Sequence, residues 1–295
     1  MRTDIYEKIT NQIVSELEKG VRPWLKPWNV GHAAGRITRP LRGNGIPYRG
    51  MNVLMLWSAA TDKGFASPTW MTFKQALELK AHVRKGEQGS LVVYADKIIR
   101  AETDAATGEE SEYAIPFMKG YTVFNVEQID GLPERFYANR QQRTESVQHI
   151  ATAEAFFAAT GAAVRHGGNM AFYSLTHDHV QMPPIEAFRD SESYYATLAH
   201  ETVHRTRHPS RLDRDFGRKR FGDEGYAQEE LVAELGSAFL SADLELTPEV
   251  REDHAAYIGS WIKVLKNDKR AIFSAASHAQ RAADFLHGLQ HSLAA

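Results

Sequence analysis

The residues best equipped for chemistry are His200, Glu201 and His204, in the run His200-Glu201-Thr202-Val203-His204. Side chains four apart on a helix share a face, so both imidazoles can point at one cation. Glu201 can reach a water beside that cation and serve as general base, then as proton donor. The local sequence suits a helix. Tyr194-Tyr195-Ala196-Thr197-Leu198-Ala199 holds no Gly or Pro, and Pro209 follows soon after His204.

Two imidazoles do not complete a catalytic site, which normally has three protein ligands. The chain has no cysteine, so the third must be His, Asp or Glu. No histidine lies at the near-downstream spacing of metzincins. Glu229-Glu230-Leu231-Val232-Ala233-Glu234 opens the next predicted helix and again spaces two carboxylates by four. We assign Glu230 as third ligand and Glu234 as the carboxylate that steadies a ligand histidine, with Glu229 the rival for the ligand role. The rest of this helix is apolar (Leu231, Val232, Leu235, Ala238, Phe239, Leu240), and carboxylates buried there need a cation or donors. Two His and one carboxylate suit several divalent metals; zinc is the first choice and manganese the second. His166, His177 and His179 read as surface or satisfied histidines, and the scattered His208, His254, His278, His287 and His291 carry no role.

The elements that must position these groups read as follows. Asp4 to Lys19 is an amphipathic helix with Ile5, Ile9, Ile13 and Leu17 at steps of four. Val21 to Tyr48, rich in Pro, Gly, Arg and Trp, is a loop. Asn52 to Ala60 and Thr72 to Lys80 are helices. Gly89 to Ile99 and Met118 to Phe124 are paired strands, with the acidic stretch Glu102 to Glu112 as an exposed excursion. Gly131 to Ser146 is poor in apolar residues and reads as a linker. Beyond it come a helix at Val147 to Thr160 and short strands at Ala163 to His166, Met170 to Ser174 and His179 to Gln181. From Phe188 onward the chain is helical except for a basic loop, Arg205 to Arg220. The fold class is therefore α+β in two domains: 1–130, mixed α/β; a linker, 131–146; and 147–295, mostly helical with a small sheet.

Composition narrows the function classes. The chain has 295 residues, 43% hydrophobic, enough to bury real cores. The absence of cysteine suits a reducing cytoplasm, and no apolar run reaches membrane-span length or signal-peptide form. The net charge of -2 names no partner and argues against DNA mimicry, which needs a strongly acidic surface. Charge is uneven, however. Lys19 to Arg100 holds fourteen Lys and Arg against four Asp and Glu, and four of the five tryptophans. Cations for phosphates and aromatic faces for bases are how single strands are held. The candidates are Arg22, Trp24, Lys26, Trp28, Arg36, Arg39, Arg42, Tyr48, Arg49, Lys74, Arg84 and Lys85; Trp57, in an apolar helix, reads as core. Single-stranded DNA is expected before duplex, because no groove-reading helix is recognisable.

Several stretches together resemble the ArdC antirestriction family. In the N-terminal half they are Ile5-Tyr6 with Ile9-Thr10, Pro23-Trp24, Pro27-Trp28, Tyr48-Arg49-Gly50-Met51-Asn52-Val53-Leu54, Trp70-Met71-Thr72-Phe73-Lys74-Gln75-Ala76, Val83-Arg84-Lys85-Gly86-Glu87 and Phe124-Asn125-Val126-Glu127-Gln128. In the C-terminal half they are the HExxH run and Tyr226 to Gly236. The resemblance implies an N-terminal domain that binds single-stranded DNA, followed by a zincin-like metallopeptidase domain. It implies a plasmid-encoded protein that protects incoming conjugative DNA from restriction, with kinship to plasmid primases. A protein substrate or a restriction-system component is then a second partner, and no membrane is expected. The alternative is a metalloprotease whose N-terminal domain recognises protein rather than DNA.

Overall fold

The computed structural model describes residues 4–24, 38–103, 110–136, 146–217, 223–246 and 255–290. Helix α1 (Ile5–Glu18) starts where the Asp4 side chain accepts the Tyr6 N–H, and it buries Ile9, Ile13, Val14 and Leu17. Strand β1 (Leu41–Arg42) leads through Gly50, at φ +55°, into α2 (Met51–Lys63), whose Val53, Leu54 and Leu56 are fully buried. After β2 (Thr69–Met71), Thr72 and Gln75 form a reciprocal cap on α3 (Phe73–Glu78). That helix stops before Lys80, which takes φ +60°.

Two short strands, β3 (His82–Val83) and β6 (Ile129–Asp130), pair with each other. Between them runs a long antiparallel ribbon of β4 (Ser90–Thr103) and β5 (Glu110–Asn125), in register from Ser90 opposite Val123 to Thr103 opposite Glu110. The sheet order is β1-β2-β5-β4. The acidic stretch read as an excursion starts and ends in this ladder, which carries on through Glu102 and Glu112; 104–109 lie outside the described residues.

In the C-terminal half, α4 (Ser146–Ala159) precedes a sheet of order β7-β9-β8, made of Val164–His166, His179–Met182 and Phe172–Ser174. Four helices follow: α5 (Ser191–Arg205), α6 (Glu224–Asp243), α7 (Ala255–Asn267) and α8 (Ala271–Gly288). Asp190 and Asp223 cap α5 and α6 through the N–H groups of Ser193 and Tyr226. Helix α6 is the central pillar, with Leu231, Val232, Leu235, Phe239 and Leu240 all inaccessible to solvent.

One continuous apolar core contains Trp24, Trp57 and Trp70 together with Leu235, Phe239 and Ala276. Trp57 lies 6.0 Å from Phe239 and Trp24 6.0 Å from Trp261, ring centre to ring centre. A smaller cluster under α3 gathers Met71, Ala76, Val126, Ile129 and Leu132.

Candidate metal centre

Helices α5 and α6 pack side by side because α6 carries a glycine where they meet. A Cβ on Gly236 would stand 2.9 Å from both Val203 methyl carbons. Val203 lies between the two histidines, so this close approach brings the HExxH face against the carboxylates of α6. There the Nε2 atoms of His200 and His204 are 3.2 Å apart. Glu230 Oε2 is 3.5 Å from the first, and Glu230 Oε1 is 3.5 Å from the second. These residues form the group among the described residues with the donors to hold a metal ion.

The spacing fits a cation. Ligand bonds of about 2.0–2.1 Å in a tetrahedron put neighbouring donors roughly 3.3–3.4 Å apart, close to the 3.2 Å between the imidazoles and the 3.5 Å from each imidazole to its own Glu230 oxygen. Charge fits as well. Glu201, Glu229, Glu230 and Glu234 are all buried, with Arg22 on Glu234 and Arg214 on Glu229. A divalent ion would offset carboxylate charge that is costly to bury. Burial disfavours the charged imidazole of His204, but Glu230 and Glu229 outweigh it and raise its pKa to about 10. Burial raises Glu230, yet the two histidines more than reverse this and hold it well below the carboxylate range.

Each imidazole is backed by a glutamate, and each glutamate by an arginine. His204 Nδ1 lies 3.1 Å from Glu229 Oε1. Arg214 grips that carboxylate with two N–H groups, each at 2.7 Å, and also donates to Thr206 Oγ1 and the Val203 carbonyl at the end of α5. Burial pushes Glu229 up, but Arg214 and His204 bring it down to about 2. His200 Nδ1 faces Glu234 Oε2 at 3.8 Å. Glu234 Oε1 in turn accepts from Arg22 Nη1 at 3.0 Å and Trp24 Nε1 at 3.4 Å. Glu230 thus stands beside both imidazoles, Glu234 on the far side of His200 and Glu229 behind His204. Sequence reading missed Arg214 and also Tyr226, whose buried phenol is hydrogen-bonded to Glu230 and lies 2.8 Å from Tyr257 Oη. Burial and Glu230 together push that phenol's pKa far up.

Of the stretch read as basic, 218–220 lie outside the described residues, and Arg205, Arg211 and Arg214 make internal contacts. Arg205 donates to the carbonyls of Thr160 and Gly161, and Arg211 clamps Asp178 and Tyr173. His166 and His179 sit on the small sheet and His177 beside it, away from the cluster; His166 meets the Tyr194 hydroxyl at 2.8 Å.

The proposed nucleic-acid residues divide three ways. Arg42, Arg49, Lys74, Arg84 and Lys85 are exposed. Arg22, Trp24, Arg39 and Tyr48 are buried, which corrects their reading as surface contacts. Arg39 is spent on a two-pronged pair with Asp243, both bonds 2.9 Å, and a 3.0 Å bond to Gln280. Tyr48 lies under Arg42. Lys26, Trp28 and Arg36 lie outside the described residues. Sequence reading missed an aromatic face on the ribbon, where Tyr94 and Tyr121 are exposed and the Lys119 ammonium stands 5.4 Å from the Tyr121 ring centre. The alternation of Tyr94, Asp96 and Ile98 along β4 was the available signal.

A two-His, one-Glu cluster on packed helices defines the class: a zincin-like metallopeptidase domain. Residues 151–278 match the family model described as zincin-like metallopeptidase, and residues 3–124 match the N-terminal domain of anti-restriction factor ArdC. The chain belongs to the ArdC antirestriction family. It is 46% identical to the crystal structure of antirestriction ArdC protein from plasmid R388, metal-free, with a TM-score of 0.81 and 98% of each chain covered. The Mn(II)-bound structure of that protein aligns at 45% identity and a TM-score of 0.80, over 97% of this chain and 98% of that one. Protein y4eC of Sinorhizobium fredii is 45% identical over 98% of this chain and 93% of its own length. DNA primase TraC of Escherichia coli is 38% identical over 97% of this chain, which spans only 27% of that protein. Family and donor set together support a divalent metal. Among the described residues no helix is long and apolar enough to cross a membrane.

Proposed function

We propose that this protein is a cytoplasmic, plasmid-encoded antirestriction factor. In this reading its N-terminal unit binds single-stranded DNA, its C-terminal unit carries a metal-dependent, peptidase-like centre, and together they protect incoming conjugative DNA. The observation that carries the metal half is the convergence of His200 Nε2, His204 Nε2 and the Glu230 carboxylate. These three would hold the ion, with zinc first and manganese second; manganese is the metal in the Mn(II)-bound structure of the R388 ArdC protein. A divalent cation there supplies Lewis acidity toward a carbonyl oxygen. The buried carboxylate of Glu201, adjoining His200, takes a proton from the attacking water and passes it to the departing amine nitrogen. Glu229 and Glu234 orient the imidazoles.

The DNA half rests on kinship, on the exposed cations Arg42, Arg49, Lys74, Arg84 and Lys85, and on the Tyr94–Tyr121 face with Lys119. Stacking on exposed rings plus phosphate neutralisation is tolerant of sequence. A second reading, protein recognition by the same unit, is favoured by Ile98 and Ile99 on the ribbon, 48% and 66% exposed.

Fluorescence anisotropy with a labelled single strand decides between them. Binding that falls steeply between about 50 and 200 mM salt supports DNA; no binding at the lower salt refutes it. Glu201→Ala and His204→Ala, carried through a conjugative transfer into a restricting recipient, test the metal half. Full protection by both variants would detach the centre from antirestriction.

A further inference from the structure

We propose that Arg22 and Trp24, from the N-terminal unit, are positioning residues of the metal centre. The inference rests on the reading of His200, His204 and Glu230 as ligands. Each imidazole has a glutamate behind its Nδ1, at 3.1 Å for His204 and at 3.8 Å for His200, and the two glutamates are held from different places. His204 is backed by Glu229, whose guanidinium comes from Arg214, 15 residues earlier on the loop that follows α5. His200 is backed by Glu234, whose guanidinium comes from Arg22, 212 residues earlier. The Trp24 indole N–H meets the same Glu234 oxygen that Arg22 holds, leaving the other oxygen facing His200 Nδ1.

Burial makes this arrangement effective. Arg22, Trp24 and Glu234 are 8%, 0% and 2% exposed. A carboxylate so placed keeps its charge and its rotamer only while donors hold it. An anionic Glu234 facing Nδ1 favours the tautomer with its proton on Nδ1, which leaves the Nε2 lone pair for the metal. Arg22 and Trp24 act on that tautomer and on the ring's orientation without touching the ion. The C-terminal unit therefore does not contain its whole metal site.

The test is calorimetric titration of the full-length, metal-stripped protein with zinc chloride and with manganese chloride. Outer partners of ligand histidines are worth roughly 10–100-fold in affinity, and Arg22→Gln is expected to lose that much. Trp24→Phe removes the N–H while keeping an apolar ring against Trp261, and should weaken binding several-fold beside the modest stability cost of the smaller ring. Arg22→Lys should recover part of the loss. In a Glu234→Gln background, neither Arg22→Gln nor Trp24→Phe should weaken binding further.

A purely structural role gives the opposite pattern: lower metal-free stability with unchanged affinity, or losses that add to Glu234→Gln. Either result overturns the proposal. If Arg22→Gln does not fold, Trp24→Phe decides alone. His204→Ala separates the two levels. If the parent protein binds no metal, or binds it equally well without His204, the ligand reading itself falls. If His204→Ala abolishes binding while Trp24→Phe and a folded Arg22→Gln bind like the parent, only the present inference falls.

Discussion

Gly236→Ala tests whether the metal site depends on how closely α5 and α6 approach. In an ordinary helix interior this change stabilises by about 0.8–1.0 kcal/mol, because Ala loses less backbone entropy than Gly. Here the new Cβ would lie 2.9 Å from both Val203 methyl carbons. Favourable carbon contacts lie at about 3.5–4.0 Å, so something must yield by roughly 0.6–1.1 Å. Val203 cannot turn aside, since a β-branched side chain in a helix has one strongly preferred rotamer. The helices must part instead, with an overpacking penalty of about 1–3 kcal/mol. The expected net is a loss of up to about 2 kcal/mol. More tellingly, Glu230 rides on α6 and the histidines on α5, so the same displacement spreads the donors and weakens metal binding. Val203→Ala in the same chain removes both methyls and should restore affinity, a coupling that a double-mutant cycle isolates. Chemical denaturation and metal titration on the four proteins make the measurement. A Gly236→Ala protein that is more stable by the full helix-propensity gain and binds metal like the parent would refute the argument.

Three further outcomes follow from the contacts. Arg214→Ala strands the Glu229 carboxylate, 3% exposed, and should destabilise the protein by about 3–5 kcal/mol in urea melts; Glu229→Gln in that background should recover much of the loss. Chelation should lower the melting temperature and added zinc or manganese restore it, with stabilisation of about 2.7 kcal/mol when free metal is 100-fold above Kd; an unchanged melt would count against a bound ion. The third concerns acid. The Arg211 hydrogen bonds, aided by Tyr173, lower Asp178 from 3.8 to about 2 against a smaller burial effect. A depressed folded-state pKa gives stability that is present above 3.8 and lost as pH falls toward about 2. The stability gap between the parent and Asp178→Asn should therefore narrow across that window, and a gap independent of pH would refute the assignment.

The parts legible in the sequence were those governed by short-range periodicity. Four-residue spacing on one helix gave His200 with His204, and on the next gave Glu230 with Glu234. Step-of-four isoleucines gave α1. What could not be read was pairing between distant residues. Arg22 and Arg39 look like any basic surface residue in a Pro- and Gly-rich loop. Nothing local says that Glu234 and Asp243 wait for them. The stretch from Arg205 onward reads only as basic, and nothing local shows that Arg205, Arg211 and Arg214 bind carbonyls and carboxylates. Interleaved Trp and Arg were weighed as a stacking platform because composition does not distinguish a buried indole from an exposed one. Glu229 against Glu230 was a question of helix phase that only the packing angle answers.

That long-range pairing bears on what a domain is in this family. Two family models divide the chain, covering residues 3–124 and 151–278. The physical contacts do not respect the division: Trp57 against Phe239, Arg39 on Asp243, Arg22 on Glu234, all within or bordering one core. Chains of this size with two sequence domains commonly unfold in steps. A shared core that includes buried ion pairs opposes this, because separating the units exposes apolar rings and strands Glu234 and Arg39 at several kcal/mol. We therefore expect one calorimetric transition, with van't Hoff and calorimetric enthalpies in agreement, and chelator shifting the whole of it. Two resolved transitions, of which chelator moves only one, would show that the units fold apart. The match to TraC takes in both halves: 97% of this chain aligns there. A site assembled across both halves loses its function if either travels alone.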